Sequence, residues 1–578
     1  MASLSQLRAR RSAAQLHALE SVEREIRAND RNGRRKYLRD FSAAYRSYES
    51  LLDSTQVHEA VRSSDVTLIA DYHALPACQR FAGGLLEQRA LAGDRPVILG
   101  VETIFARDQH ILDEWWRREI DECELRERMR FQLDWGYDWE PFYELLVTAR
   151  EHADAIYGLD CMPREDLRKI GARDRHAAEK VAEIRRKHPN AAVMVLFGES
   201  HLAPAHLPRE VRALLPQERV LTILQNVDAL YWRAAGEQRE RVEAVRVSAD
   251  AICVFNATPL EKYENYRLCL DRWRREESDS PDLAPTVYNL IDGLVRFLGI
   301  NRYSPHNTTQ PKFLIDLLPE VYYRSSDGLL RRLLSRKGVS EEERDAIVQR
   351  VEERGCAYLA QLNAFYMHDF QLQHSSEEAA RFLHHACRGL PARVTAREES
   401  ADEPGDFFYG RILEDSLAYF GSRVLHPARP AVRESDLREL REETREDIER
   451  ETGLDFAEAI RALDFLLLHR LLELDVKQCE RVRGSLDEGI RSSGPKFEYI
   501  TRQLGYLLGC DLYDAYLEGR VTPGFVRSLF LTHVEEPGQA RDTYFGLANR
   551  LRGLQKKRPA RVGRGDVRPQ AGQAKLSI

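Results

Sequence analysis

Short apolar runs alternate with amphipathic stretches between residues 60 and 275. An unbroken run of β-branched, aliphatic and aromatic residues predicts a strand that is buried on both faces. The predicted strands cover residues 66–70, 96–101, 155–159, 191–197, 220–225, 242–247 and 251–255. Because helical patterns separate most of these runs, we predict an α/β fold with a mainly parallel sheet and helices on both faces.

The sequence on either side of this region has a helical pattern instead. Two helices are predicted before residue 55, and the second carries Tyr37, Phe41, Tyr45 and Tyr48 at spacings of three and four residues. This aromatic stripe is typical of a face that docks onto the following domain. We therefore predict a helical N-terminal arm over residues 1–58, an α/β domain over 60–275, a mainly helical C-terminal domain over 284–552 and a basic tail over 556–578, disordered by composition.

Composition narrows the class of protein. A chain of 578 residues is too long for one core, so two to four domains are expected. The net charge of −7 predicts no nucleic-acid footprint, and no apolar run of about 18 residues predicts a membrane span. The first residues show no secretory apolar core. The nine cysteines are scattered without a CxxC pair, which favours reduced thiols and a cytoplasmic location.

Acidic residues and histidines follow the predicted strands at the points where these strands end. In extended backbone, side chains two residues apart point the same way, so Asp71 and His73 would share one side, as would Glu199 and His201. The carboxyl ends of parallel strands meet at one edge of a sheet. The sequence therefore predicts one cluster at this edge, formed by Asp71, His73, Glu102, Asp160, Glu199 and His201.

Carboxylates beside imidazoles have three chemical uses, and the sequence leaves all three open. They bind divalent metals, they form a general base with the group that orients it, and they line pockets for anionic or iron-bearing ligands. His206 is a candidate for the pocket wall. Tyr137 and Tyr143 lie in an aromatic segment that would cover a flat ligand, and either is a candidate iron ligand.

Residues 65–215 resemble the haem-binding-uptake/Tiki superfamily, in its ChaN-like branch, which is related to TraB-type and erythromycin-esterase-type proteins. The late family motif, Gly-x-x-His, matches Gly198-Glu199-Ser200-His201, and the family glutamate matches Glu102. The segment Trp139-Glu140-Pro141-Phe142-Tyr143 also resembles a ChaN-like segment. The early motif, Gly-Glu-x-His, departs from the pattern as Ala70-Asp71-Tyr72-His73. This departure puts the family's metal or proton geometry at Asp71 in doubt.

The resemblance implies haem or iron handling in ChaN-like relatives and hydrolysis in Tiki-type and esterase-type relatives. Our first hypothesis is a cytoplasmic protein that binds haem or a metal ion, lined by His73, His201, Glu102 and Glu199 and closed by Tyr137 or Tyr143. For a divalent metal, the predicted ligands are Asp71, His73, Glu102, Glu199 and His201.

The second hypothesis is a hydrolase. In it, His73 or His201 is the general base, while Glu102 and Glu199 hold a metal or orient the imidazole. The third hypothesis is a non-catalytic interaction protein with a vestigial pocket, which Asp71 in place of Glu supports. Its protein partner would bind through the helical C-terminal domain. The first two hypotheses imply a haem or small-molecule ligand.

Overall fold

The computed structural model of the chain describes most of its length. The described residues are 4–29, 36–161, 170–236, 242–274, 282–300, 317–324, 327–388, 404–473, 494–532, 534 and 536–556. The predicted basic tail lies outside these residues, apart from its first residue.

An eight-stranded, mainly parallel sheet forms the centre of the α/β domain. Its strands are β1 (Ser50–Leu52), β2 (Val66–Asp71), β3 (Val97–Phe105), β4 (Ala155–Asp160), β5 (Ala192–Gly198), β6 (Val220–Gln225), β7 (Ala244–Ser248) and β8 (Ala251–Val254). Their order across the sheet is β1-β7-β8-β6-β2-β5-β3-β4. β7 pairs antiparallel with both β8 and β1, and the other pairs are parallel. The predicted fold class is confirmed.

Helices cover both faces of this sheet. Along β5, alternate residues enter two different cores: Met194 and Leu196 face one, while Val193, Val195 and Phe197 face the other. This explains why the central strands have no polar alternation. The helices of the N-terminal segment and the α/β domain are α1 (Leu4–Asn29), α2 (Lys36–Ala44), α3 (Ser54–Ser63), α4 (Pro76–Leu91), α5 (Gln109–Trp116), α6 (Glu122–Arg128), α7 (Phe131–Asp134), α8 (Trp139–His152), α9 (Ile170–Lys187), α10 (Leu207–Leu214), α11 (Asp228–Gly236) and α12 (Pro259–Arg274).

The region between β3 and α8 contains the short helices α5, α6 and α7 rather than one continuous helix. Arg118 and Arg130 adopt left-handed backbone conformations, with φ of 62° and 50°. A left-handed residue interrupts the ladder of helical hydrogen bonds. Asp121 then accepts a bond from the backbone N–H of Glu124 at 2.9 Å and starts a new helix.

The N-terminal segment is divided between the two domains. Ala14, Ala18 and Val22 of α1 lie in the core of the C-terminal domain. Phe41 and Tyr45, from the predicted aromatic stripe, pack into the α/β core instead. β1 also joins the large sheet, so this segment spans both domains.

The C-terminal domain is mainly helical around a small sheet of three strands. The strands β9 (Glu320–Tyr323), β10 (Cys356–Leu359) and β11 (Ala364–Met367) are ordered β10-β11-β9. Its helices are α13 (Ala284–Leu298), α14 (Asp327–Arg336), α15 (Glu341–Arg354), α16 (Leu372–Cys387), α17 (Pro404–Leu425), α18 (Glu434–Arg441), α19 (Arg445–Thr452), α20 (Phe456–Leu472), α21 (Gly494–Leu517), α22 (Pro523–Leu531) and α23 (Gln539–Lys556). Every residue of α16 except His374 and Gln373 is buried. Within the described ranges, no helix is long and apolar enough to cross a bilayer.

Candidate functional site

The sheet order brings four strand ends together. β2 lies beside β5, β5 beside β3, and β3 beside β4. Asp71 ends β2, Gly198 ends β5 and Asp160 ends β4, while Glu102 lies within β3 at the level where β5 ends. Residues distant in sequence thus meet at the carboxyl edge of the sheet, where open α/β sheets place their ligands.

The first histidine of the site is held by a carboxylate. Nδ1 of His73 lies 2.7 Å from Oδ2 of Asp71. The side-chain amide of Gln79 donates to the other oxygen of Asp71. A carboxylate partner keeps the proton on Nδ1 and leaves Nε2 as the basic nitrogen. Nε2 lies 3.8 Å from Oε2 of Glu102, and the imidazole is 20% exposed.

The second histidine repeats this arrangement in a more buried position. Nδ1 of His201 lies 2.5 Å from Oδ1 of Asp174, and its Nε2 lies 4.0 Å from Oε1 of Glu102. The Tyr37 hydroxyl donates to Oδ2 of Asp174 at 2.7 Å. Burial, together with Asp174, raises the pKa of Tyr37, so its phenol stays protonated and acts as a donor. The two aspartate–histidine pairs therefore approach Glu102 from opposite oxygens.

Glu102 is fixed between the two imidazoles. Its Oε1 accepts from Nη2 of Arg173 at 2.5 Å, and its Oε2 accepts from the backbone N–H of Gly198 at 2.5 Å. Burial raises the pKa of this carboxyl, but Arg173, His73 and His201 outweigh that effect and lower it below its ordinary value. Arg173 also binds Asp160 through two bonds of 2.9 Å. Glu102 is thus an ionised carboxylate that faces two imidazoles.

Glu199 does not share the position of His201. The sequence argument assumed extended backbone, but residues Glu199–Leu202 form a 3₁₀ turn. In such a turn, residues i and i+2 point in different directions. The carboxylate of Glu199 accepts from Nζ of Lys262 at 3.0 and 3.2 Å. Burial raises the pKa of Glu199 despite this ammonium.

Aromatic rings flank the more exposed histidine. The ring of His73 lies 4.5 Å from that of Trp135 and 5.2 Å from that of Tyr137. Trp273 of α12 lies 5.2 Å from Tyr137 and donates its indole N–H to the carbonyl of Gly136 at 2.7 Å. We call Trp135, Tyr137 and Trp273 the aromatic wall.

The structure does not bring the other two sequence candidates to His73. The ring of Tyr143 stacks on Trp139 at 5.5 Å and meets Trp115 at 6.0 Å, within the core under α8. His206 stacks on Tyr37 at 3.8 Å and lies 3.0 Å from Asp40 of α2. Tyr143 therefore packs in the core of the α/β domain, and His206 contacts α2.

The carboxylates of the site do not fit a divalent cation as they stand. Glu102 and Asp160 already bind the guanidinium of Arg173, and Glu199 already binds the ammonium of Lys262. A metal ion would have to displace these cations. Among the described residues, no group of three or more His, Cys, Asp or Glu side chains is arranged to hold a metal ion.

Sequence reasoning missed several residues of this site. Arg173 and Asp174 extend the apolar face of α9, which continues through Ala177, Ala178 and Val181. Charged residues on an apolar helix face were the available signal. Lys262 on α12 gave no such signal, because its partner Glu199 is 63 residues away in the chain.

Comparison with known proteins finds a family that is similar to part of the α/β domain. The family described as "Haem-binding uptake, Tiki superfamily, ChaN" matches residues 57–192, which confirms the resemblance found in the strand-end motifs. The matched range includes Asp71 and His73, together with Glu102, Arg173 and Asp174. Gly198 and His201 lie after it in the chain.

Two solved structures are similar to part of the chain. One is ChaN of Campylobacter jejuni, described for cofacial haem binding, with 13% identity over 30% of this chain and 86% of that chain and a TM-score of 0.25. The other is the type III effector HopBA1, with 14% identity over 36% of this chain and 97% of that chain and a TM-score of 0.28. No curated protein matches the chain.

Proposed function

We propose that the α/β domain is a hydrolase that uses His73 as a general base. The observation that carries this proposal is the pair of aspartate–histidine dyads on either side of Glu102. In such a dyad, the carboxylate orients the imidazole and stabilises the imidazolium that forms when a proton is taken. Asp71 and Asp174 have this orienting role, which the sequence had assigned to Glu102 and Glu199.

His73 is the more accessible of the two bases. Its imidazole is 20% exposed, against 5% for His201. A water molecule or hydroxyl group that gives up its proton must reach the basic nitrogen. Glu102 remains ionised beside Nε2, so it stabilises the protonated form of either imidazole. We assign proton removal to His73 and electrostatic support to Glu102 and the His201 dyad.

The hydrolase proposal is tested with a panel of carboxylic esters and amides. His73→Ala should lower kcat/KM by about 10²–10⁴-fold, as expected for loss of a general base. His152→Ala is the matched control, because this histidine lies in the same domain but pairs with Glu87 of α4, at 3.7 Å, away from both dyads. The control should retain turnover, and a chelator should not abolish it. If no ester or amide shows His73-dependent turnover, the hydrolase proposal is wrong.

Haem binding is the second candidate function, and the family match favours it. A histidine whose second nitrogen is held by a carboxylate is a common iron ligand, so His73 fits this role chemically. The aromatic wall beside it would face a flat ring system. Burial raises the pKa of Tyr137, which disfavours an iron-bound phenolate at that residue. When bound, haem would supply its own redox or ligand chemistry.

Titration with haemin tests the haem candidate. His73→Ala should remove or shift the Soret band, whereas Tyr143→Phe should leave it unchanged because that ring packs on Trp139. An unchanged spectrum in the wild-type protein would contradict haem binding.

We further propose that the protein works in the cytoplasm. The eight described cysteines are all free, and six of them are buried. Free thiols persist in reducing compartments. Fractionation of the native host would test the location, and recovery of the protein in an oxidising compartment would contradict it.

A further inference from the structure

The charge of the site restricts what it can bind. Asp71 contacts the side-chain amide of Gln79 and the imidazole of His73. Asp174 contacts the hydroxyl of Tyr37 and the imidazole of His201. Each dyad therefore carries one negative charge while its imidazole is neutral. Arg173 bonds to Glu102 and Asp160 rather than to these two aspartates. With neutral imidazoles, the described charged residues of the site therefore carry more negative than positive charge, and this excess favours cationic ligands.

The aromatic wall supplies the second element of recognition. Trp135 and Tyr137 lie beside the ring of His73, and Trp273, which packs on Tyr137, is 43% exposed. The faces of indole and phenol rings attract cations, most strongly where the cation is partly desolvated. Rings of this kind form the sites that bind quaternary ammonium groups in many proteins.

Beside the site, the ammonium of Lys262 already makes a cation–π contact with an aromatic ring. Nζ of Lys262 lies 4.5 Å from the centre of the Tyr72 ring. Tyr72 lies 6.0 Å from Tyr266, and Tyr266 lies 6.4 Å from Trp273. A continuous row of rings thus runs from this bound ammonium to the aromatic wall.

We propose that the site takes esters or amides whose non-reacting part carries a quaternary or protonated amine. The amine would lie against the aromatic wall, and the carbonyl group would face Nε2 of His73. This inference rests on the proposed hydrolase function and adds the substrate class to it. An anionic ligand would meet repulsion from the two aspartate dyads.

Three small probes of the same shape test the charge preference: choline, the neutral 3,3-dimethylbutan-1-ol and the anionic 3,3-dimethylbutanoate. Binding is measured with the full-length protein by calorimetry or by tryptophan fluorescence. Choline should bind about tenfold more tightly than the neutral alcohol, and the anion should bind least. Added salt should weaken choline binding and leave the alcohol unaffected. Equal or tighter binding of the alcohol or the anion would overturn the proposal.

Two tryptophan variants locate the contact. Trp273→Leu should weaken choline binding about five- to tenfold, and its half-exposed position makes folding failure unexpected. Trp232→Leu is the control, because this indole contacts Tyr231 on α11 instead. Choline binding that is unchanged in Trp273→Leu contradicts the assignment of the wall.

Two further substrates distinguish the proposed substrate class from the proposed hydrolase activity. Acetylcholine and 3,3-dimethylbutyl acetate are a matched cationic and neutral ester. His73-dependent hydrolysis of both at equal kcat/KM keeps the hydrolase and overturns the substrate class. Choline binding that depends on Trp273, with no hydrolysis of any ester, keeps the cation site and overturns the hydrolase.

Discussion

Glu102 in the α/β domain and Glu377 in the C-terminal domain are both buried carboxylates with a lowered pKa, yet their partners differ. In both, burial raises the pKa and neighbouring cations outweigh that effect. Glu377 accepts from Arg429 at 2.8 Å, Arg354 at 3.1 Å and the Tyr506 hydroxyl at 2.9 Å. All three partners are buried.

This difference distinguishes a site from a structural network. A guanidinium stays charged at every physiological pH, so the bonds of Glu377 to arginine cannot exchange a proton. Glu102 also bonds to Arg173, but two imidazoles face it, and one of these imidazoles reaches solvent. Buried charge alone is therefore weak evidence for function. A partner that can accept and release a proton, such as an imidazole, and an opening to solvent are the stronger evidence.

The largest effect is expected from breaking the network of the C-terminal domain. Glu377→Ala leaves Arg354 and Arg429 buried without their carboxylate, which should lower the free energy of unfolding by about 3–5 kcal/mol. Denaturant unfolding measures this loss. Glu446→Ala, at an exposed position on α19, should change it by less than about 0.5 kcal/mol. A small effect at Glu377 would contradict the structural role.

The next effect concerns the orienting carboxylates of the site. Asp71→Asn keeps the size of the side chain but removes the charge that orients and stabilises His73. We expect kcat/KM to fall by about 10²-fold, while the free energy of unfolding changes by about 1 kcal/mol. Asp71→Asn should thus affect turnover more than stability, whereas Glu377→Ala should mainly affect stability. A loss of stability without a loss of turnover would place Asp71 with the structural residues.

Two glycines offer a matched pair of substitutions. A Cβ at Gly198 would lie 3.0 Å from Oε2 of Glu102 and 3.1 Å from Nε2 of His73. A Cβ at Gly509 would lie 2.7 Å from the carbonyl oxygen of Ser416, where α21 approaches α17. Gly509→Ala should therefore cost about 1–3 kcal/mol of stability.

Gly198→Ala should instead act mainly on turnover, because it pushes Glu102 and His73 apart. We expect a loss of about 10-fold or more in kcat/KM. Thermal unfolding and ester kinetics on both variants give the comparison. If Gly509→Ala lost turnover per folded molecule while Gly198→Ala did not, the distinction between the two regions would fail.

The strand ends were accessible from sequence because each is a local pattern. Asp71 and Glu102 follow apolar runs directly, so a one-dimensional pattern is sufficient to predict them as candidates. The mainly parallel sheet followed from the same alternation of runs and helices. The order of the strands in the sheet could not be predicted in this way, because it depends on which runs pair in space. Strand β1 was missed because three residues are too short for a periodic signal.

The orienting groups were not accessible in the same way. Asp174 lies 27 residues from His201, and Tyr37 lies 137 residues from Asp174. Nothing local in either segment specifies such a partner. The prediction for Glu199 failed for a local reason, because the backbone turns into a 3₁₀ helix immediately after the strand. Sequence thus located the acids and histidines but not the direction in which each one points.

A pH-dependent effect is predicted at the junction of the two domains. Oε2 of Glu261 in α12 lies 3.8 Å from Nε2 of His426 in the C-terminal domain. Burial raises the pKa of Glu261 from 4.5 to about 7. A backbone hydrogen bond at Thr258 lowers the pKa of Glu261, and the charge of Asp369 raises it. Burial lowers the pKa of His426 to about 3, so this imidazole is neutral at pH 7.

The sign of the pH dependence follows from these values. Between about pH 4.5 and 7, the folded protein holds a proton on Glu261 that the unfolded chain has lost. Stability should therefore fall as the pH rises through this window, by about 3 kcal/mol, and this contribution should stay constant above it. Glu261→Gln should remove this part of the slope, whereas Glu446→Gln should retain it. Equal slopes in the wild type and Glu261→Gln would show that Glu261 is ionised in the folded protein, and that the junction, like the network at Glu377, does not respond to pH near neutrality.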